Sequence, residues 1–377
     1  MRYQSLSNKL LKPDCMIWQY FMLGAFCLLF FILATYKLTN LYSEEEIQLY
    51  SPSPIMKISL AQFLEAKTLL LENILSDIEF LEDEKNKKIF FIESHMDAMR
   101  ILDNPRHACS VESAAKTNPD TQIFFILTTK SNQMLLKYSE IARALLSYDN
   151  IHIRFLNIYE FSKGTVLEDL FVHKKILKSK YPIEHMADVL RILILNRFGG
   201  TYLDLDVLSL VPLKKINQEN FACPESDNVV TNAVVNIGYK NHEVMEAYLH
   251  KLSISYSPKE WGANGPDMFT DSIRQFCKGV NLEKRNTTIC GNFTTFPSEK
   301  CYPIEFDGYW MFYSEESYKN VTEILYATQP YFLHIWNKML NFSKQEFRLV
   351  YSGHSTYVEL GKKYCPQVMK TTEKYFR

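Results

Sequence analysis

The pattern of apolar and polar positions predicts alternating strands and helices from residue 88 onward. Three short runs rich in apolar side chains are typical of buried strands: residues 88–92, 122–127 and 151–155. Two stretches between them space their apolar residues like helices: residues 109–116 and 133–147. Such alternation indicates an α/β fold with a parallel sheet, which binds ligands at the carboxyl ends of its strands. We therefore expect Ser94, which follows the first run, to face a ligand crevice.

Residues 186–198 form a further helical pattern, which Gly199 and Gly200 end. Asp188 and Arg191 are three positions apart in it, so they share one face of the helix. Charged residues on an otherwise apolar helix need partners. One interpretation is an internal ion pair that fixes the helix. The other is that both side chains line a pocket together with the acidic residues that follow.

Residues 201–207 are rich in β-branched and apolar side chains and predict one short, largely buried strand. On a strand, Asp204 and Asp206 project from the same face, while Leu203, Leu205 and Val207 point into the core. Carboxylate ligands suit Mg²⁺ or Mn²⁺, which bind through one or two carboxylates together with substrate phosphates. Such aspartate pairs also arise by chance, so the pair indicates a metal site only together with the residues around it.

The N-terminal region predicts a membrane anchor. Residues 16–36 contain no charged side chain and have about the 20-residue length that a bilayer requires. Basic residues precede this segment and Glu44–Glu46 follow it, which predicts a cytosolic tail at residues 1–15 and a luminal remainder. A cleaved signal peptide has a shorter apolar region, of about 7–15 residues, and a small-residue cleavage site. The pattern therefore favours an uncleaved type II signal-anchor.

Residues 37–88 predict a partly helical stem. The sequence from Ser59 to Gln62 has capping-box spacing, and apolar residues then follow a 3–4 repeat over about three heptads. A homodimer formed through this stem is one interpretation. Packing of the stem helix onto the domain that follows it is the other.

Composition agrees with a large globular domain in an oxidising compartment. The 377 residues are 47% hydrophobic and carry a net charge of −1. The chain has no excess of basic residues, so its charge does not indicate a nucleic-acid partner. Sequons suggest N-glycosylation at Asn286, Asn292, Asn320 and Asn341. Six of the eight cysteines lie beyond the predicted anchor, and six cysteines allow fifteen full pairings. Because their spacing does not match a zinc site, disulfides are the default expectation.

The order Ala187-Asp188-x-x-Arg191, Phe198-Gly199-Gly200-x-Tyr202 and Asp204-x-Asp206 resembles the sugar-binding region of DxD-containing glycosyltransferases. Further segments narrow the resemblance to the α1,4-glycosyltransferase family: IFFIES, CSVESAAKTNPD, WGANGPDMFT, CYPIEF and LHIWNK. It implies a glycosyltransferase-A type, Rossmann-like domain over residues 89–377. The DxD region would cover about residues 90–215, and the C-terminal family region about residues 230–370.

The resemblance also implies roles for individual residues. Mn²⁺ or Mg²⁺ would be held by Asp204, Asp206 and His334, although a histidine in an apolar run is more often a buried core residue. The catalytic residues would be Asp188, Asp204 and Asp206. The donor-binding residues would be Asp188, Arg191, Tyr202, Asp204, Asn232, Trp261, Asn264 and Gly265. The Trp261–Gly265 loop has a structural turn as its alternative, and Asp267 is an outside candidate for a catalytic carboxylate.

The implied reaction moves a hexose from a UDP-sugar, expected to be UDP-galactose, in α1,4 linkage onto a glycosphingolipid such as lactosylceramide in the Golgi membrane. Configuration would be retained, through either a covalent intermediate or front-side attack. Asn232-Ala233 stands where many relatives have Asn-Gly, which weakens the assignment of galactose. One alternative is transfer of N-acetylgalactosamine or N-acetylglucosamine to a glycolipid or O-glycan. A non-catalytic, membrane-anchored sugar-binding or partner protein is the other.

Overall fold

A computed structural model describes residues 87–95, 104–128, 139–227, 229–278, 280–339 and 353–376. All of them belong to the unit Leu64–Arg377. The predicted signal-anchor, almost all of the predicted stem and the sequon at Asn341 lie outside the described residues. Among the helices within those ranges, none is both long and apolar enough to cross a membrane.

The described part of the chain is mixed α/β, with a large central sheet. Its strands follow the spatial order β3-β2-β1-β4-β7-β6-β9-β8. The sheet is built from β1 (Lys88–Glu93), β2 (Gln122–Leu127), β3 (Ile151–Phe155), β4 (Gly200–Leu203), β6 (Phe221–Ser226), β7 (Val229–Ile237), β8 (Thr288–Cys290) and β9 (Phe293–Thr295). A separate pair joins β5 (Val207–Ser209) to β10 (Phe332–His334).

Helices cover both faces of this sheet. The α-helices are α1 (Pro105–Thr117), α2 (Glu140–Leu146), α3 (Ile158–Ser162), α4 (Glu168–Val172), α5 (Pro182–Phe198), α6 (Glu243–Ser255), α7 (Met268–Cys277), α8 (Tyr318–Thr328), α9 (Thr356–Tyr364) and α10 (Pro366–Phe376). Short 3₁₀ segments lie at Leu213–Lys215, Ser298–Lys300, Phe306–Phe312 and Asn337–Met339, and a π-helical turn at Ala263–Asp267.

Two hydrophobic cores explain the continuous apolar runs of the central strands. In β1, Ile89 and Phe91 pack with α1 and the C-terminal helices, whereas Phe90 and Ile92 pack with α5. Successive strand residues point to opposite faces, so a strand that is covered on both faces has no polar alternation. The predicted strands at residues 88–92, 122–127 and 151–155 are confirmed.

The prediction of a parallel sheet is right for one half only. Strands β3, β2, β1 and β4 are parallel, but β7 runs antiparallel to β4 and to β6. The reason is the short connection between β6 and β7, in which Ser226 pairs with Val229. Hairpin connections of this length join antiparallel strands, whereas parallel strands need a crossover.

The prediction of one strand over residues 201–207 is wrong. Strand β4 ends at Leu203, and a turn follows in which the Val207 amide donates to the Asp204 carbonyl oxygen, at 3.0 Å. Leu205 is half-buried at this turn rather than in the core. The two aspartates therefore approach each other through a turn, and not through the alternation of a strand.

Glycines end α5 and let the chain enter the sheet. Gly199 and Gly200 have φ of 65° and 95°, the left-handed region that favours glycine. A Cβ atom on Gly200 would lie 2.9 Å from the Lys88 carbonyl oxygen of β1. The Gly-Gly pair thus permits both the turn and the close approach of β4 to β1.

Three disulfides select one of the fifteen pairings that the sequence left open. Cys109–Cys365 joins α1 to the start of α10, Cys223–Cys301 joins β6 to the segment after β9, and Cys277–Cys290 joins α7 to β8. The first closes a loop with a sequence separation of 256 residues. It ties the C-terminal helices to the N-terminal half of the domain.

Candidate metal and donor site

Helix α5 and the turn after β4 bring three charged side chains together. Arg191 Nη2 lies 3.4 Å from Asp188 Oδ1, and Arg191 Nη1 lies 3.1 Å from Asp204 Oδ1. Asp188 and Arg191 are 5% exposed, so the charges of this network are largely removed from water. The interpretation as an internal ion pair is confirmed. Arg191 also contacts the first aspartate of the motif, while the interpretation as pocket-lining residues stays a prediction.

Tyr202 and Asn232 complete the network. The Tyr202 hydroxyl donates to Asp204 Oδ1 at 2.7 Å, and the Arg191 guanidinium lies 4.5 Å from the centre of the Tyr202 ring. Asn232 Nδ2 donates to Asp188 Oδ1 at 3.0 Å, and the Asn232 carbonyl oxygen accepts from Arg191 Nη1 at 2.8 Å. Each side chain of the network therefore has a fixed partner.

Burial and neighbouring charges shift the pKa values of Arg191 and Asp188 in opposite directions. Burial alone lowers the pKa of Arg191, but Asp204, Tyr202 and Asp188 together raise it above its usual value, so the guanidinium stays protonated. Burial raises the pKa of Asp188, and Arg191 and Asn232 oppose that shift. Buried ion pairs are retained where additional hydrogen bonds satisfy their remaining atoms, as they do here.

Asp206 faces the C-terminal half of the domain. Strand β10 pairs with β5 with His334 opposite Val207, and this register sets the imidazole beside the aspartate turn. His334 Nε2 lies 3.3 Å from Asp206 Oδ1. Asp206 Oδ2 accepts a hydrogen bond from the Asn337 backbone amide at 3.1 Å. This arrangement comes from tertiary pairing and not from local spacing.

Asp204, Asp206 and His334 fit a divalent cation. Each offers one ligand atom, and these three atoms lie within 4.8 Å of one another. Among the described residues, the buried His334 Nδ1 has no hydrogen-bond partner, a condition that costs free energy unless a ligand or an ordered water satisfies it. Two carboxylates and one imidazole are ligands that suit Mn²⁺ or Mg²⁺. His334 is also 7% exposed, as the core interpretation expects, so the two interpretations are compatible.

The loop at Trp261 leads into the π-helical turn before α7. Asn264 is fully buried and its amide is used within the protein: Oδ1 accepts from the Ser257 amide, and Nδ2 donates to the Ser257 carbonyl oxygen and to His185 Nδ1. These bonds match the structural-turn alternative for Asn264. Trp261 is 52% exposed, with Lys338 Nζ 5.6 Å from its ring centre.

Gly265 touches the acidic end of the network. A Cβ atom at this position would lie 2.6 Å from Asp188 Oδ1, so only glycine fits without displacing the carboxylate. Asp267 is exposed at the end of the π-helical turn. The Ser94 side chain is buried and donates to the Ile183 carbonyl oxygen at 2.8 Å, which commits its hydroxyl to the protein.

Two further residues, Tyr248 and Trp336, organise the site. The buried Tyr248 hydroxyl donates to the carbonyl oxygens of Asn264 and Gly265 and accepts from Asn232 Nδ2. Trp336 has φ of 55°, unusual for a bulky residue, and its turn presents the Asn337 amide to Asp206. The LHIWNK segment marked the second region, whereas no sequence signal marked Tyr248.

Two family models match the chain. The description "glycosyltransferase sugar-binding region containing DXD motif" matches residues 104–222, and "alpha 1,4-glycosyltransferase conserved region" matches residues 238–372. The first match contains Asp188, Arg191, Asp204 and Asp206. The second contains Gly265 and His334. The candidate site therefore draws on both matched regions.

Curated relatives align over most of the chain. Lactosylceramide 4-alpha-galactosyltransferase of Mus musculus is 29% identical over 288 residues, 76% of each chain. Alpha-1,4-N-acetylglucosaminyltransferase of Homo sapiens is 28% identical, over 70% of this chain and 75% of its own.

Among solved structures, PaToxG glycosyltransferase is 13% identical with a TM-score of 0.39, over 79% of this chain and 94% of its own. Galactosyltransferase LgtC is 14% identical with a TM-score of 0.32, over 70% and 99%. These structural likenesses are too distant to carry an argument.

Proposed function

We propose that this chain, a glycosyltransferase that matches the alpha 1,4-glycosyltransferase conserved region over residues 238–372 and is similar to curated α1,4-glycosyltransferases, transfers a hexose from a UDP-sugar in α1,4 linkage with retention of configuration. The domain would be of the glycosyltransferase-A type, with the donor at the carboxyl ends of β1 and β4. The proposed donor is UDP-galactose, and the proposed acceptor is a glycosphingolipid of the lactosylceramide class.

One observation carries this proposal: the candidate cation ligands Asp204, Asp206 and His334 lie directly beside the buried Asp188–Arg191 pair. Departure of the diphosphate builds negative charge on its oxygens, while the sugar passes through an oxocarbenium-like transition state. A bound Mn²⁺ or Mg²⁺ would stabilise the departing charge as a Lewis acid. Asp204 and Asp206 would hold the cation that binds the diphosphate. The neighbouring Asp188–Arg191 pair offers a hydrogen-bond acceptor and a donor to the sugar.

The protein's own residues would fix the donor. Arg191 remains protonated between two carboxylates, so it supplies a fixed positive charge next to Asp204. The Asp188 carboxylate, held by Arg191 and Asn232, is positioned to accept hydrogen bonds from hexose hydroxyls. Gly265 leaves the space against Asp188 open. Tyr202 orients Asp204 through its hydroxyl.

The donor sugar has one specific alternative. An N-acetylhexosamine donor is the second candidate, because the alpha-1,4-N-acetylglucosaminyltransferase of Homo sapiens is similar to this chain at 28% identity, almost as similar as the murine galactosyltransferase at 29%. The acceptor would then be a glycolipid or an O-glycan.

We further propose a type II Golgi membrane protein. The support is the uncharged segment at residues 16–36 with its flanking charges, the three disulfides, which form in oxidising compartments, and the sequons. Asn286, Asn292 and Asn320 are exposed, as glycan acceptors must be. A homodimer through residues 37–88 remains part of this proposal.

The test is a screen of donors against acceptors with the full-length protein in detergent. UDP-galactose, UDP-N-acetylgalactosamine and UDP-N-acetylglucosamine are each paired with lactosylceramide and an O-glycan core, and product linkage is read by NMR. The proposal expects an α1,4-linked product with one donor strongly preferred. A β-linked product, or no transfer with any donor although UDP is released, would refute the assigned reaction.

A further inference from the structure

Glu225 is a half-buried carboxylate close to the candidate cation ligand His334. It lies near the end of β6, where the register with β7 shifts on both sides of Pro224, so the strand is irregular at this residue. Glu225 is half-buried, and among the residues that the structure describes it makes neither a hydrogen bond nor an ion pair. Bulges commonly redirect a side chain next to an active site.

The surroundings of Glu225 link it to the candidate metal site. Burial raises the pKa of its carboxyl, and the neighbouring His334 and Lys284 oppose that shift while Glu305 adds to it. The Cys223–Cys301 disulfide also ties β6, two residues before Glu225, to the residue that precedes Tyr302. Because the carboxylate is only half-buried, its oxygens can accept hydrogen bonds from a ligand that enters from solvent.

An aromatic wall extends from the same place to the surface. The ring centres of His334 and Trp336 are 4.1 Å apart, and those of Trp336 and Phe306 are 5.4 Å apart. Tyr302 packs 5.9 Å from Trp336, and its hydroxyl is hydrogen-bonded to Thr231 Oγ1. Phe306 is 41% exposed, so the wall begins at a candidate cation ligand and ends at an open aromatic face.

The wall meets the donor network across strand β7. The Tyr302 hydroxyl is hydrogen-bonded to Thr231 Oγ1, and the next residue, Asn232, donates to Asp188 Oδ1. Tyr302 and Trp336 belong to the core that contains α1 and the C-terminal helices, whereas Tyr248, which holds Asn232, belongs to the core that contains α5 and α6. The acceptor hydroxyl must reach the anomeric carbon of the donor hexose, so a second sugar site has to adjoin the donor site.

We propose that Glu225 and Phe306, supported from behind by the buried rings of Trp336 and Tyr302, form the acceptor subsite, which binds the terminal pyranose of the acceptor glycan. Glu225 accepts hydrogen bonds from acceptor hydroxyls, and the Phe306 ring packs against the apolar face of the sugar. The inference rests on the proposed glycosyl transfer. An anionic acceptor for hydroxyl donors, beside an aromatic platform, is the combination that recognises a pyranose.

The test compares transfer with acceptor-free UDP release, using the full-length protein in detergent at saturating UDP-galactose. Glu225→Gln and Phe306→Ala are each expected to raise the KM for lactosylceramide about tenfold or more, as loss of a charged hydrogen bond implies. Both should leave acceptor-free UDP release and the KM for donor unchanged. The matched controls are Glu323→Gln and Tyr326→Ala, both exposed on α8. They should change neither the KM for lactosylceramide nor the rate of acceptor-free UDP release.

Three results would overturn the subsite. One is an unchanged acceptor KM in Glu225→Gln and Phe306→Ala. Another is an equal loss of acceptor-free UDP release, which would assign both residues to the donor site. If lactosylceramide accepts no sugar, saturation-transfer NMR with lactose decides: absent binding to the Mn²⁺- and UDP-loaded wild type contradicts the subsite. Failure of wild type to release UDP at all would instead count against the proposed function.

Discussion

The two aspartates of the candidate metal site have opposite surroundings. Asp204 is held by Arg191 and the Tyr202 hydroxyl, in a network in which each side chain has a protein partner. Asp206 is held by a backbone amide and His334, and buried atoms close to it, His334 Nδ1 and Asn337 Nδ2, lack hydrogen-bond partners among the described residues.

The difference shows how the fold divides its tasks. The side built on α5 is fully paired without any ligand, so it should contribute mainly to stability and to the position of Asp204. The side built on β10 retains unsatisfied polar atoms, so it should contribute mainly to ligand binding. Buried polar groups without partners commonly mark sites where a ligand or ion completes the bonding. Four variants test this division.

Arg191→Met should have the largest effect. It leaves Asp188 and Asp204 without their shared partner, and breaking a buried ion pair in this way costs about 3–5 kcal/mol of unfolding free energy. Urea unfolding followed by circular dichroism gives the value. The control is Arg143→Met, which removes an exposed ion pair with Glu140 and should cost about 1 kcal/mol or less. Equal losses in the two variants would refute the buried network.

Asp206→Asn should reduce activity while it leaves stability nearly unchanged. Loss of one carboxylate ligand is expected to lower the rate of UDP release about 10²–10³-fold, which corresponds to about 3–4 kcal/mol of transition-state stabilisation. Its unfolding free energy should stay within about 1 kcal/mol of wild type. Asp307→Asn, at an exposed position, serves as the control. A large loss of stability would place Asp206 with the structural side.

Gly265→Ala should have an intermediate effect. Its Cβ atom would meet Asp188 Oδ1 at 2.6 Å, and overpacking of this kind costs about 1–3 kcal/mol. The KM for the UDP-sugar should rise because the Asp188 carboxylate must move. Gly262→Ala is the matched control, since its nearest contact is an ordinary 3.6 Å to Asp267. A neutral Gly265→Ala variant would show that the close approach does not constrain the site.

Asn337→Ala should have the smallest effect on folding. Among the described residues Asn337 Nδ2 has no hydrogen-bond partner, and Oδ1 accepts only a long bond from the Tyr313 hydroxyl, at 3.5 Å. Because the backbone amide that donates to Asp206 remains, the unfolding free energy should fall by less than about 1 kcal/mol. The comparison is Asn150→Ala, which removes donors from three carbonyl oxygens and should cost more, about 2–3 kcal/mol. If Asn337→Ala proved the more destabilising of the two, this side of the site would be structural.

Sequence patterns predicted the elements that local physics determines. The runs that became β1, β2 and β3 were recognisable because strands buried on both faces are uniformly apolar. The end of α5 followed from the Gly-Gly pair. The shared face of Asp188 and Arg191 followed from helical spacing, and the structure joins them in an ion pair.

The features that the sequence missed depend on contacts distant along the chain. The turn at Asp204 forms because β4 pairs with β7 while β5 pairs with β10, a division that no local pattern records. The antiparallel half of the sheet follows from a hairpin at Ser226–Val229 without a strong turn sequence. The buried role of Asn264 arises from partners at Ser257 and His185, which a turn-rich loop sequence does not reveal.

The most direct test of the proposed metal–diphosphate chemistry is the rate of UDP release from UDP-galactose as a function of Mn²⁺ concentration. It is measured for the full-length wild type and for Asp204→Asn and Asp206→Asn. The wild type should show saturable activation by Mn²⁺, and both variants should lose it. Equal turnover in all three proteins, independent of Mn²⁺, would contradict the assignment of Asp204, Asp206 and His334 to a catalytic metal site.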